Sequence, residues 1–449
     1  MSGFLSEKVK SAEALHCVLL VTRKAMLPEA HALSLALLKH QLSRVTILRS
    51  GVDAATDDLP DNDRFAIEAE ACGRDVMPRG IWRLGPLRTV ALTVSIARKR
   101  RSIARRLRAL RPCVLVVFED RFIDPEAIWL AEARNAKVPA ILVRYASSSV
   151  ESDIWSRRGR RGYSLQSGAL AWLRRAFARR YPHHVLADQR DRLLFYPTWD
   201  SWALAFSGLA GTDPRIVGGG HVKRVAVMGT AEKDMAEAVT GLIDRFVVTG
   251  QPSLDAMPVK RINSDVATRV ICALPQWAEH NQLSWERHME LLEQLAAILE
   301  SSGVEEAVLN VHPKADWRRY SNLADRHRLT ISNRPLMEII SSADIFIASW
   351  SSTLRWSALL GIPAINLDWA EQAYTATAGT EAIPLSRAPE DFRELLDRLI
   401  GDNGFRKSLG ERLKKSSNAI GTLDGQACAR VVKMIDEVVG SNAHIGDSR

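Results

Sequence analysis

The chain has 449 residues, 46% of them apolar and 25% charged, with a formal net charge of +9. That length exceeds one ordinary core, and the composition excludes wholesale disorder. Apolar runs such as Val114 to Phe118 fall far short of the ~20 residues that span a bilayer; Met1 to Glu13 lacks the apolar centre of a signal peptide, so retention in the cytoplasm is expected.

Short β-branched runs alternate with helix-period segments, the pattern of parallel α/β units. Val18 to Thr22 reads as a buried strand, Pro28 to His40 as a helix and Val45 to Leu48 as a second strand. A basic helix from about Leu87 to Leu110 stops before Pro112 and leads into the strand Val114 to Phe118. Pro125 to Asn135 is a helix with proline in its first turn, and Ala140 to Val143 is the next strand. The rhythm breaks between Ser147 and Ala210, a basic, Trp-rich insertion expected to be helical. It resumes with Arg224 to Met228, a helix from Ala231 to Asp244, and Phe246 to Val248. Thr249-Gly250-Gln251-Pro252 punctuates the chain, and a boundary is expected around Asp255 to Asp265, between domains 1–257 and 266–449.

The second half starts over. Strands are expected at Val270 to Leu274, Ala307 to Val311, Leu329 to Ser332, Ile345 to Ala348 and Ala364 to Leu367. Helices are expected at Trp285 to Leu299, Met337 to Ile340 and Thr353 to Leu360, then at Pro389 to Ile400, Phe405 to Lys415 and Gln426 to Val439. The fold class is therefore α/β: two Rossmann-like, doubly wound parallel-sheet domains facing a cleft.

Five dispersed cysteines (Cys17, Cys72, Cys113, Cys272 and Cys428) form no Cys-x-x-Cys pair and argue against a disulfide framework or a zinc site. Asp61-Asn62-Asp63 follows Pro60 in a polar loop and reads as a solvated turn, so no metal and no cofactor is expected. Gly218-Gly219-Gly220 lacks the spacing of a phosphate loop and reads as a flexible turn. The basic charge gathers at Arg98 to Arg111 and Arg157 to Arg180. Such helices are either solvated faces or contacts for an anionic membrane surface or polyanionic glycan; nucleic acid is not favoured.

Ligands of parallel sheets bind beyond the carboxyl ends of the strands. His312, Pro313 and Lys314 follow one strand; Ser349, Ser351, Ser352 and Thr353 follow another and open a helix. The serine turn is either a plain cap or a phosphate site, where backbone N–H groups and hydroxyls meet an anion. Gln276, Glu279 and His280, after the first strand of the second half, are candidate substrate contacts or an ordinary polar loop. Glu119 and Asp120 follow Val114 to Phe118 at a strand's carboxyl end and are candidate acid–base residues, or else form ion pairs with Arg121 or Arg144.

The run from Val308 to Asp368, containing His312-Pro313-Lys314 and Ser351-Ser352-Thr353, resembles the C-terminal domain of GT-B glycosyltransferases. It is similar to bacterial capsule and lipopolysaccharide transferases of the sialyltransferase-like and Kdo-transferase-like kinds, and to CDP-glycerol glycerophosphotransferases. The resemblance implies that His312, Pro313, Ser351 and Ser352 hold nucleotide phosphates, often those of a cytidine nucleotide. Val247 to Met257 resembles the end of the N-terminal domain in GT-B transferases and, more distantly, UDP-GlcNAc 2-epimerases. Two departures stand out. Arg355-Trp356-Ser357-Ala358 has no ribose-binding carboxylate, and Arg144-Tyr145-Ala146-Ser147 replaces the epimerases' acidic motif. The resemblance thus implies a metal-independent glycosyltransferase, CMP-sugar-dependent by preference, acting on a cell-surface polysaccharide or glycolipid at the inner membrane. The alternatives are an epimerase or hydrolase of the same fold, or a non-catalytic polyanion-binding protein.

Overall fold

The computed structural model describes residues 15–40, 43–50, 63–69, 85–145, 150–257, 267–280, 282–312, 315–371 and 380–446. Pro313, Lys314, Asp61, Asn62, Cys72 and most of the expected domain boundary lie outside these. The chain forms two units: one of residues up to 227 with 236–253 and 426–449, the other of residues 228–235 and 254–425.

The first unit runs β1 (Leu15–Val21), α1 (Leu27–Lys39), β2 (Ser43–Arg49), β3 (Phe65–Ala69), α2 (Gly85–Leu110), β4 (Val114–Val117), α3 (Ile128–Asn135) and β5 (Ala140–Val143). It continues with α4 (Val150–Arg157), α5 (Ala171–Arg180), β6 (Val185–Ala187), β7 (Arg192–Leu194), α6 (Thr198–Phe206), β8 (Arg224–Val227), α7 (Thr230–Thr240), which crosses between units, and β9 (Phe246–Val248). Seven strands form one sheet in the order β3-β2-β1-β4-β5-β8-β9, every pair parallel. Central strands buried on both faces need unbroken apolar runs, which is why β1 and β4 carry them. The Trp-rich insertion is helical as expected, but β6 and β7 add an antiparallel pair within it.

The second unit contains β10 (Arg269–Ala273), α8 (Trp285–Ser301), β11 (Glu306–Asn310), α9 (Arg318–Arg326), β12 (Thr330–Ser332), α10 (Leu336–Ile339) and β13 (Ile345–Ala348). Then come α11 (Leu354–Leu360), β14 (Ala364–Leu367), β15 (Leu385–Ser386), α12 (Pro389–Gly401) and α13 (Asn403–Ser416). Its sheet has the order β12-β11-β10-β13-β14-β15 and is wholly parallel. Leu291, Leu292, Leu295 and Leu299 of α8 pack into its core beside Phe346, Phe392 and Leu396.

The last helix, α14 (Ala427–Gly446), differs from expectation. Placed by the sequence in the domain 266–449, it belongs to the first unit. Its Val431, Met434, Ile435 and Val438 share a core with Leu33 and Leu37 of α1. Apolar periodicity shows that a helix buries one face but not which sheet it covers.

Candidate functional site

In a doubly wound sheet the binding crevice opens where the strand order reverses. That point lies between β10 and β13 in the second unit, and between β1 and β4 in the first.

In the second unit, hydrogen bonds tie the two strand ends together. Trp277 Nε1–H donates to Ser349 Oγ at 2.9 Å, and the Ser349 hydroxyl donates to the Leu367 carbonyl at 2.8 Å. Trp350 then takes a left-handed backbone with φ of +43°. For a bulky residue this costs on the order of 1–3 kcal/mol and persists only when the surroundings enforce it. Here Trp350 N–H donates to Asn366 Oδ1 at 2.9 Å, and its indole N–H donates to Asp368 Oδ1 at 2.8 Å. Ser351 Oγ accepts from Thr353 N–H at 3.2 Å and from its hydroxyl at 2.8 Å. The N–H groups of Leu354, Arg355 and Trp356 bond back to the carbonyls of Ser351, Ser352 and Thr353. What is left over is the Ser352 hydroxyl and the N–H groups of Ser351 and Ser352, without partners among the described residues, on half-exposed residues. Two free N–H donors and a hydroxyl beside a braced turn suit an anionic oxygen.

Ser349 is therefore a brace, Thr353 supports the turn, and Ser351 and Ser352 offer the free donors. His312 is exposed at the end of β11, one strand beyond β10, and its carbonyl accepts Ala315 N–H at 2.8 Å. His280 is exposed, and its N–H donates to the carbonyl of half-buried Gln276 at 3.0 Å. Glu279 instead joins an internal network: Tyr320 OH donates to it, and His288 Nε2 lies 3.9 Å away. Arg355 is buried, with a guanidinium nitrogen 3.3 Å from Glu232 Oε1.

In the first unit, Thr22 and Arg23 follow β1, while Glu119, Asp120 and Arg121 lie beyond β4. Glu119 Oε1 accepts from the N–H groups of Asp120 and Arg121, at 3.1 and 3.2 Å, and from Arg121 Nε at 3.2 Å. The ion pair weighed in the sequence thus forms, with Arg121. Asp120 accepts Gly218 N–H at 3.0 Å and Gly220 N–H at 2.7 Å. Burial and the neighbouring Glu119 charge push its carboxyl up to about 7, against the pull of those amides and of Arg121.

Sequence reasoning missed Glu126. Thr22 donates to its Oε1 at 2.5 Å, while buried Oε2 has no hydrogen-bond partner among the described residues. Burial raises this carboxyl to about 7. Arg23 lies close by, stacked 3.6 Å over the Phe122 ring. The only sequence signal was the position of Glu126 in the first turn after β4, which reads equally well as helix-start chemistry.

No protein-family model matches the sequence, and no curated protein does either. Solved structures do match. The chain is similar to UGT2 from Phytolacca americana, complexed with UDP-2-fluoro-glucose and pterostilbene, at 14% identity and a TM-score of 0.56, over 95% of this chain and all (100%) of that one. It is similar to a UDP-glucosyltransferase from Polygonum tinctorium at 13% identity and a TM-score of 0.55, over 96% and 100% of the two chains. A UDP-GlcNAc 2-epimerase from Neisseria meningitidis, bound to UDP-GlcNAc, matches at 14% identity and a TM-score of 0.50, over 94% and 100%. The fold is GT-B. At these identities the likeness is one of architecture, and it agrees with the two parallel sheets expected from the sequence.

Proposed function

We propose that the protein is a GT-B glycosyltransferase that binds a nucleotide sugar at the serine turn of its second unit. The carrying observation is the set of free donors at Ser351 and Ser352, held at the β10–β13 switch point by the Trp277–Ser349 and Trp350–Asp368 bonds. There they would stabilise the charge that develops on the leaving phosphate as the anomeric C–O bond breaks, with His312, Pro313 and Lys314 as further contacts. Gln276 and His280 border the same strand end and are proposed substrate contacts.

The acceptor hydroxyl must lose a proton as it attacks. Among Glu119, Asp120 and Glu126, the unaccompanied oxygen and raised proton affinity of Glu126 favour it as the base, because the oxygens of Asp120 are committed to Gly218 and Gly220. A cytidine-nucleotide donor, a cell-surface glycan or glycolipid acceptor, a location at the inner membrane and independence of metal complete the reading. An epimerase is the second reading; the three carboxylates gathered beyond β4 and the structural likeness to the Neisseria enzyme favour it.

The test is thermal stabilisation by CMP, CDP, UMP, UDP, GDP and ADP, on the wild type and on Ser352→Asp and His312→Ala. A nucleotide at a hundredfold excess over its Kd adds roughly 2.7 kcal/mol of stability. Stabilisation by a cytidine or uridine nucleotide that Ser352→Asp abolishes supports the site and names the donor class. Stabilisation by none of the six would sink it. If a UDP-sugar is bound, proton NMR of the incubated sugar separates epimer formation from transfer.

A further inference from the structure

The α2 helix has one outward stripe, and its composition changes midway. Leu87, Val90, Val94, Arg98, Arg101, Arg105 and Arg108 are exposed, and they follow one another in steps of three and four, which keeps them on one side of a helix. The first three are aliphatic; the last four are arginines with no ion pair among the described residues. The inward cations behave differently. Arg88 pairs with Asp200, Lys99 with Asp124, Arg100 with Glu132 and Arg106 with Glu68. No acidic residue occurs anywhere in α2 or α5.

Two further helices lie on the inner side of α2 and beyond it. α6 lies along α2, joined by Thr89 to the Trp199 carbonyl and by Arg100 to the Ser207 carbonyl, both at 2.8 Å. Its Trp199 and Trp202 are half-buried, and Phe206 is 67% exposed. α5 packs beside it through Phe177 and Trp202, whose rings are 5.7 Å apart, and presents Trp172, 61% exposed, with Arg175 and Arg179.

We infer that the outward stripe of α2 docks on an anionic lipid surface, with Leu87, Val90 and Val94 entering the acyl boundary and the outward arginines meeting headgroup phosphates. Charge complementarity selects this occupant. A second copy would bring the same unbalanced cations against themselves, and a nucleic acid gives the aliphatic half of the stripe nothing to contact. Helices that lie in a membrane interface combine these two features. The structure also divides the second basic cluster: Arg157 pairs with Asp153, Arg158 with Asp188 and Asp191, and Arg174 is buried against the Ser164 carbonyl, so these serve the fold. The inference deepens the proposed function by naming its membrane surface, but its test needs neither donor nor acceptor, so the two can fail separately.

The experiment is co-sedimentation of the full chain with phosphatidylcholine vesicles, with and without phosphatidylglycerol. Binding to the anionic vesicles alone is expected. Each outward arginine is worth roughly fivefold in affinity, so Arg101→Glu/Arg105→Glu/Arg108→Glu should bind at least ~100-fold more weakly. Leu87→Ser/Val90→Ser/Val94→Ser should also lose binding while melting like the wild type, since all three side chains are exposed. Arg412→Glu, an exposed site of the second unit, should bind unchanged. Equal binding to neutral vesicles, no binding at all, or full binding by the serine triple variant would overturn the inference. So would tighter binding to single-stranded RNA than to anionic vesicles.

Discussion

Glu126 is buried with one oxygen bonded to Thr22 and the other unaccompanied among the described residues. The fold therefore favours its protonated form, up to about 7. A carboxyl raised in the folded state contributes stability that is fully present below its unfolded pKa and is lost as pH rises through the folded value. Glu126→Gln mimics the protonated state and should remove that loss. Melting curves between pH 5 and pH 8 should show the wild type weakening relative to the variant, by on the order of 3 kcal/mol over the window. Parallel curves would mean that the carboxyl titrates normally. If Glu126 is also the base, the activity of the wild type should rise through a limb near pH 7 that the variant lacks.

At the scale of elements, the Gly218–Gly220 segment is more closely packed than its sequence suggests. The sequence suggests a flexible turn there; the structure shows a turn whose backbone packs tightly around Asp120 and Asp213. A Cβ on Gly219 would fall 2.0 Å from the Asp213 carbonyl oxygen, and one on Gly220 would fall 2.6 Å from Asp120 Oδ2. Gly220→Ala should push the Asp120 carboxylate off its amides and cost on the order of 2 kcal/mol or more. Gly211→Ala, with open space around its Cβ, should be nearly neutral; equal melting temperatures for the two variants would show that the turn yields.

The same contrast separates what was legible in the sequence from what was not. The strands were readable because burial on both faces demands uninterrupted apolar runs, as at Val114 to Val117. β3, an edge strand with half-buried residues, gave no such run. Strand ends located the serine turn, His312 and the carboxylates after β4 as site candidates. Their division into braces, donors and internal partners rests on contacts across long stretches of chain: Thr22 to Glu126 spans 104 positions, and Asp120 to Gly218 spans 98. Local spacing carries no trace of these. Likewise, the arginines of α2 were countable, but which were paired inward was not.

For the whole molecule, the decisive element is α14. It adds Val431, Ile435 and Val438 to a core built on α1, β1 and β4. Burial of three such side chains is worth roughly 5–9 kcal/mol before offsetting costs, comparable to the net stability of a domain. Truncation after Gly425 should therefore leave amides of α1 and β1 poorly protected in hydrogen exchange while those of β10 and β13 stay protected. Unchanged protection of α1 would show that the first unit stands without its last helix.

This arrangement bears on how the protein is made. Segments 15–227 and 236–253 leave the ribosome with the apolar flank of α1 uncovered, and nearly all of the other unit must be synthesised before the covering helix emerges. At ~5–20 residues per second, that interval lasts on the order of ten seconds or more. The nascent chain thus carries an uncovered apolar surface for longer than a small domain needs to fold. It also means that the unit finished first is the one that begins in the middle of the sequence.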